Sequence, residues 1–368
     1  MKRIFLLACI LVLPFIMQAQ SYNLLIGTYT QGKSEGIYVY NFSAQTGEAT
    51  FKNKASGVSN PSFLAISRDK KQVYAANEEV DGNISSFSFN SKTGTLIFLN
   101  KVSAKGEHPC YVSVDPAVKN LFAANYSSGS LSAFPIRKDG SLSESSQFIQ
   151  HEGTGPDRER QESSHVHCAI FSPDYKYLLA ADLGSDHIAV YTYNPLKKQP
   201  LTLTSVAPVK AGSGPRHVTF SADGKKLYLV QELTAEVTAF DFDNGNLKAF
   251  QTVRMMTPEF TGQNGAADIH LSPDGKFLYA TNRGSANEIV VFEVDRQIGK
   301  LTFRGRESTG GKTPRNFTIT PNGEFVLVAN QDSDNVVIFK RDTVTGLLTD
   351  SGKRIEVGMP VCLVLAGE

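Results

Sequence analysis

One strand pair is written seven times along this chain. Its second half recurs as LLIGTY, VYAANE, LFAANY, LLAADL, LYLVQE, LYATNR and VLVANQ, with a polar anchor at Thr28, Asn77, Asn125, Asp182, Gln231, Asn282 and Asn330. The steps between anchors are 49, 48, 57, 49, 51 and 48 residues. A repeat of that length in a strand-rich chain restricts the fold to a ring of blades or an open solenoid. Each copy is followed by a second apolar run such as IYVYNF, IAVYTY or IVVFEV, and six are preceded by a run ending in a turn, as in PSFLAISRDKK, PRHVTFSADGK and PRNFTITPNGE. In SPDG and TPNG, proline pre-sets φ and Gly or Asn accepts a positive φ, so the runs on either side read as antiparallel strands. The unit is therefore about four antiparallel strands, the content of a propeller blade.

The first copy lacks the strand that precedes every other one. That strand appears at the C-terminus as MPVCLVL, Met359–Leu365, with Pro360 standing 46 residues after Pro314. The C-terminal strand is expected to pair beside the N-terminal ones and close a seven-bladed, all-β propeller of four antiparallel strands per blade. Closure removes the exposed edges an open array would leave. Residues 20–368 form this one domain, without a linker.

Residues 1–19 read as a secretory signal peptide: Lys2 and Arg3, an apolar stretch from Ile4 to Ile16, then Met17-Gln18-Ala19 before the cut. The product is expected to be periplasmic or secreted. Lipidation at Cys9 is disfavoured, because apolar sequence continues well past it. The chain carries 37 basic and 36 acidic residues and no basic run, which argues against nucleic acid or an anionic membrane surface as partner. Cys110, Cys168 and Cys362 remain after export, an odd number at blade-length spacing and no disulfide framework. No Cys/His cluster has zinc spacing, and no cofactor is called for. Trp is absent, which removes the Trp-Asp signature of WD40 blades.

Aligned copies make columns of equivalent positions, and chemistry is expected where a column breaks its own rule. The anchor column is uniformly polar, as side chains that bond neighbouring backbone would be. One residue on, the column reads Tyr29, Glu78, Tyr126, Leu183, Glu232, Arg283 and Gln331. Behind the proline of the innermost strand it reads Ser62, Cys110, His167, Arg216, Ala267, Arg315 and Val361. Both columns are chemically heterogeneous and place their charges on consecutive units, with Glu78 and Tyr126 across the ring. Each charge also has a structural reading as an ion-pair partner between blades. His165, His217 and His270 lie outside the two columns and read as structural hydrogen-bonders. The long step stretches over His151–Ser164, either a solvated surface loop or a lid at the channel mouth.

The chemistry these residues suit is acyl hydrolysis or its reverse. A His or Glu takes a proton from water, and arginines hold a carboxylate or phosphate and an oxyanion. There is no GxSxG motif, and the sequence pairs no base with Cys110, so direct attack by water is favoured over a covalent intermediate.

The segments SSHVHCAIFSPDYKYLLAADLGSD, GSGPRHVTFSADGKKLYLVQE, AADIHLSPDGKFLYATNRG and GKTPRNFTITPNGEFVLVANQDSDNV resemble the seven-bladed propeller lactonase family of 6-phosphogluconolactonases and carboxymuconate lactonizing enzymes. The resemblance spans nearly the whole mature chain. It implies a catalytic set of His167 in SHVH, Arg216 in GPRH, Glu232 in VQE and Arg283 in TNRG, while Gly153–Ser163 is similar to the family's loop before that His. On this reading a monomer hydrolyses a sugar-acid or sugar-phosphate lactone. His167 or Glu232 is the base, Arg216 and Arg283 hold the anion and oxyanion, and Arg315, Glu78 and Tyr126 bind substrate. Export leaves an unphosphorylated lactone open. A non-catalytic carbohydrate- or ligand-binding propeller and a lactonizing isomerase are the alternatives.

Overall fold

The computed structural model describes residues 21–367; the proposed signal peptide lies outside them. Seven sheets of four antiparallel strands follow one another around a central channel. Blade 1 joins Ser21–Thr28, Gly36–Ser43 and Ala49–Ser56 to Pro360–Gly367 as its innermost strand. The other innermost strands are Pro61–Ile66, Pro109–Val114, Val166–Phe171, Pro215–Phe220, Ala266–Leu271 and Pro314–Ile319, for blades 2 to 7 in order. Each innermost strand touches its counterparts in the two adjacent blades, which completes the ring. The C-terminal strand pairs with the first from Tyr22↔Gly367 to Thr28↔Pro360, as the displaced sequence copy implies.

The core lies between blades rather than within one. One apolar cluster joins blades 5 and 6 through Tyr228, Val237, Ile269 and Phe292, and another joins blades 7 and 1 through Ile26, Phe42, Leu327 and Leu363. A recurrent bond staples neighbours: the tyrosine on the second strand donates its hydroxyl to a turn glycine of the next blade, in Tyr74 to Gly140, Tyr228 to Gly299 and Tyr279 to Gly346. The turns behind the innermost strands also repeat. Ser272 Oγ accepts from Phe277 N and donates to Asp274, and Gly275 takes φ +67°.

The anchor column is structural. Asn77 donates to Ser59 O, Asn125 to Ala104 O and Asn330 to Thr309 O, while Asn282 accepts from Gly265 N and Asp182 from His165 N. Each short polar side chain ties its strand end to the chain entering the same blade or leaving its neighbour.

Closure gives the first prediction. A chain ending at Gly358 leaves the buried side chains of Leu24, Leu25 and Ile26 without their partner strand, and should lose cooperative thermal unfolding. Leu363→Ala, which only truncates a buried side chain, should retain the fold and lower stability by about 2–5 kcal/mol, read by urea titration.

Candidate active site

The two heterogeneous columns meet because of one backbone irregularity. In every blade the register between the innermost strand and its neighbour slips at the strand's start, as between Pro109 and Tyr111 or Pro215 and His217. Such a bulge leaves one residue unpaired and re-aims its side chain. The residues so placed are Ser62, Cys110, His167, Arg216, Arg315 and Val361, and in blade 6, where the slip spans two residues, Ala267 together with Asp268. The other column is pinned beside them. The backbone N–H of Tyr29, Glu78, Tyr126, Leu183, Glu232, Arg283 and Gln331 donates to the carbonyl two residues before the bulge in all seven blades. Equivalent backbone thus carries different chemistry around one channel mouth.

His167, Glu232, Arg283, Arg315, Glu78 and Tyr126 line one cavity of about 200 Å3, together with Cys110 and Arg160. Arg216 lies directly beneath, 1% exposed. The seven residues expected from sequence are therefore brought together. A larger groove of about 870 Å3 between blades 5 and 6 sits at the opposite end of these strands, around the Ser221–Lys226 and Ser272–Gly275 turns, and gathers no buried charge.

Glu232 is the hub. Its Oε1 accepts from Arg160 Nη2 at 2.7 Å, and its Oε2 lies 2.9 Å from both Arg283 Nη2 and Arg216 Nε. The Arg216 contact is one of charge, since its Nε–H is not aligned on the oxygen; its Nη1 donates instead to Ala267 O at 2.5 Å. Burial pushes the Glu232 carboxyl up, but Arg283, Arg216 and Arg160 outweigh it and hold the group far below the usual carboxylate range. Burial and the neighbouring Arg283 bring Arg216 down to about 10, which leaves it charged at neutral pH. Arg315 reaches Glu78 at 3.5 Å across the channel and lies 5.3 Å over the ring of Tyr29. Four guanidiniums thus face two carboxylates, a surplus of positive charge in a small, largely desolvated space.

His167 is the one imidazole on the cavity wall. Burial, then Arg216, His217 and Arg315, lower its pKa well below the ordinary value, so it is neutral and can accept a proton. Its Nδ1 lies 3.8 Å from Cys110 Sγ, a base beside a thiol that sequence spacing did not disclose. The pair is nonetheless unsuited to nucleophilic catalysis. Burial and Glu78 push the Cys110 thiol up while the imidazole is pushed down, the reverse of what makes a thiolate.

Two contributors escaped the sequence reading. Arg160 comes from the long insertion His151–Ser164, where Gln161 donates to Leu183 O and holds the segment against blade 4. The lid reading of that segment is the one its geometry favours, since Arg160 also donates to the Tyr126 hydroxyl at 3.3 Å. An arginine in the single irregular step was the available signal. Tyr29 belongs to a column already singled out, and its contacts with Arg315 and Glu78 follow only from ring closure.

Away from the pocket, His151, Asp182 and His187 are the one group among the described residues that gathers metal-ligand atoms. Both ring nitrogens of His151 are already engaged, by Asp182 at 3.0 Å and Tyr191 at 2.7 Å, so the group anchors the start of the insertion. His165 likewise bonds Tyr126 O at 3.0 Å, as a structural histidine should.

The family described as Lactonase, 7-bladed beta-propeller, matches residues 23–365. A 6-phosphogluconolactonase of Bacillus subtilis is 36% identical over 342 residues, covering 92% of this chain and 96% of that protein. One of Formosa agariphila is 38% identical over 330 residues, covering 88% and 93%. Among solved structures, the periplasmic gluconolactonase of Pseudomonas aeruginosa superposes with a TM-score of 0.90 at 40% identity, covering 94% of this chain and 99% of that one. With its seven blades, its bulged innermost strands and this match along nearly its whole length, the chain belongs to the seven-bladed β-propeller lactonase family.

Proposed function

We propose that this protein hydrolyses the ring ester of an anionic sugar-acid or sugar-phosphate lactone at the channel mouth, with His167 as general base. The observation that carries this reading is a neutral imidazole on the wall of a cavity of about 200 Å3 that three guanidiniums also line, with a fourth, Arg216, buried directly beneath. Relatives named as 6-phosphogluconolactonases and a gluconolactonase support the lactone class. Water adds to the lactone carbonyl and gives its proton to His167. Arg216 and Arg283 stabilise the oxyanion, the ring C–O bond breaks, and His167 returns the proton to the departing alkoxide. Arg315 and Tyr126 hold the remainder of the substrate with Glu78. Arg160, whose side chain is 43% exposed, is the cation free to turn from Glu232 to the substrate's own anion. Glu232 is a counter-ion rather than the base, because three cations stabilise its ionised form. Product ionisation releases one proton per turnover, which a pH-stat reads directly.

We further read residues 1–19 as an export leader and the mature protein as periplasmic. The likeness to a periplasmic gluconolactonase supports this, and a mature N-terminus at Gln20 by mass spectrometry is the expected result.

His167→Ala should lower kcat by about 10²–10⁴ with little change in melting temperature. Glu232→Gln should instead destabilise the fold, by about 3–5 kcal/mol, because it strands buried guanidiniums. Full lactonase activity of His167→Ala against both gluconolactone and 6-phosphogluconolactone would sink the assignment.

The pH dependence has a definite sign. A base must be unprotonated, and the pKa of His167 is lowered from 6.5. The plateau of kcat/KM should therefore extend to the acid side of pH 6.5 and fall only at lower pH. An acid limb centred at or above 6.5 would be incompatible with a buried, cation-flanked His167.

A further inference from the structure

Beneath the pocket, the residues just after the bulges form a second ring. Four blades supply Phe63, Tyr111, Cys168 and Cys362, whereas three consecutive blades supply His217, Asp268 and Asn316. Phe63 and Tyr111 stack at 4.0 Å, and His217 packs edge-on against both and against His167, whose ring centroid is 5.2 Å away. Asp268 is buried and fully bonded. Its Oδ1 accepts from His217 Nδ1 at 2.9 Å and from Ile269 N, and its Oδ2 from His270 Nε2 at 2.9 Å, Asn316 Nδ2 and Phe317 N. An ionised carboxylate only accepts. His217 must therefore carry its hydrogen on Nδ1 and present a lone pair at Nε2.

That Nε2 is buried and meets no donor in the protein, and Ser62 Oγ has no partner either. Both residues line a cavity of about 10 Å3, room for the centre of one water molecule, which they share with Cys110, His167, Arg216 and Arg315. Cys110, His167 and Arg315 also line the pocket above, so the two spaces meet at His167. A polar cavity of this size with orphaned acceptors is a water site, whereas an apolar one stays dry.

We propose that His217 is a positioning residue for the reaction: its Nε2, fixed by Asp268, and Ser62 Oγ hold one water against His167. The chain Asp268–His217–water–His167 directs one His167 N–H down to the throat and leaves the other nitrogen's lone pair facing the substrate. No bond is made or broken along this chain. The His167 imidazolium that forms in the reaction gains a hydrogen-bonded path to a carboxylate, as the base of a catalytic triad does through its aspartate. The inference rests on His167 as base.

The surroundings keep His217 in its accepting form. It faces Arg216 on its own strand, His167 from blade 4, Tyr111 from blade 3, Asp268 and His270 from blade 6, and Arg315 and Asn316 from blade 7. Burial and then Arg216, against the opposing pull of Asp268, bring it to about 4, so it is neutral across the working range.

A double-mutant cycle tests this on the full-length mature protein, with gluconolactone and 6-phosphogluconolactone as probes. His217→Phe should lower kcat about 10–100-fold with KM nearly unchanged, the usual scale for a lost supporting hydrogen bond. The acid limb of kcat should move to lower pH, because His167 loses the acceptor that stabilises its protonated form. His217→Gln, which keeps an accepting oxygen, should recover part of the rate. In a His167→Ala background, His217→Phe should cost nothing further. An unchanged pH profile, or a loss that adds in full to that of His167→Ala, would overturn the proposal. Full activity of His167→Ala alone would instead remove the base assignment on which it rests. Should His217→Phe fail to fold, Asp268→Asn carries the same cycle: its amide can donate to His217 and turn Nε2 into a donor, so an unaltered kcat and pH profile again sinks the idea.

Discussion

One buried carboxylate bearing three guanidiniums organises the upper half of the channel. Taking any of these charges out of water costs several kcal/mol, and each is tolerated because the others surround it. Arg216 is nearly inaccessible, and without Glu232 its charge would face Arg283 and Arg315 with little to oppose it. The same contacts deprive Glu232 of basicity, which separates two groups the sequence leaves equivalent. Glu232 fixes the cations in place, and under the proposed mechanism that is where negative charge develops, so the protein need not reorganise them during reaction. In the proposed mechanism proton transfer falls to His167, held neutral by burial and by those same cations.

Such a cluster needs a rigid support, and the innermost strands provide it. Arg216 and Arg315 stand on bulges whose flanking residues are paired on both sides, and Glu232 and Arg283 begin at strand ends pinned by backbone hydrogen bonds. Sites carried on strands hold their geometry more closely than sites on loops. Arg160 is the exception, reaching the hub from the His151–Ser164 insertion. Its pairing with Glu232 is the one a substrate anion can replace without disturbing a blade.

Most of the frame was legible because the chain repeats it. Seven copies expose the strand order, and the displaced copy at Pro360 exposes the closure. His167, Arg216, Glu232 and Arg283 could be named because an aligned column shows departures from a local norm. Arg160 had no column, since an insertion has no equivalents to be compared with. The pairing of Arg315 with Glu78 joins blades 7 and 2, and only the closed geometry of the ring brings them together. His217 and Asp268 were read as structural or passed over for a different reason. Their column, one residue beyond the bulge, is mostly apolar, and its break across blades 5 to 7 shows only when that column too is aligned.

The bulge also explains why chemistry can vary here while the fold does not. Anchor residues such as Asn77, Asn125 and Asn330 bond backbone carbonyls, so replacing one leaves a buried group unsatisfied. Bulge residues make no ladder contact with their side chains. Ser62 and Val361 on one side and Arg216 and Arg315 on the other occupy equivalent backbone at the mouth of the same ring. The channel mouth is consequently polarised: its guanidiniums come from blades 5 to 7 and from the insertion before blade 4, whereas blades 1 to 3 contribute Val361, Ser62, Cys110, Tyr29 and Tyr126, with Glu78 the one charged side chain among them. A ligand with its anion at one end and an uncharged ring at the other matches that polarity, and sevenfold symmetry of the backbone places no restriction on it.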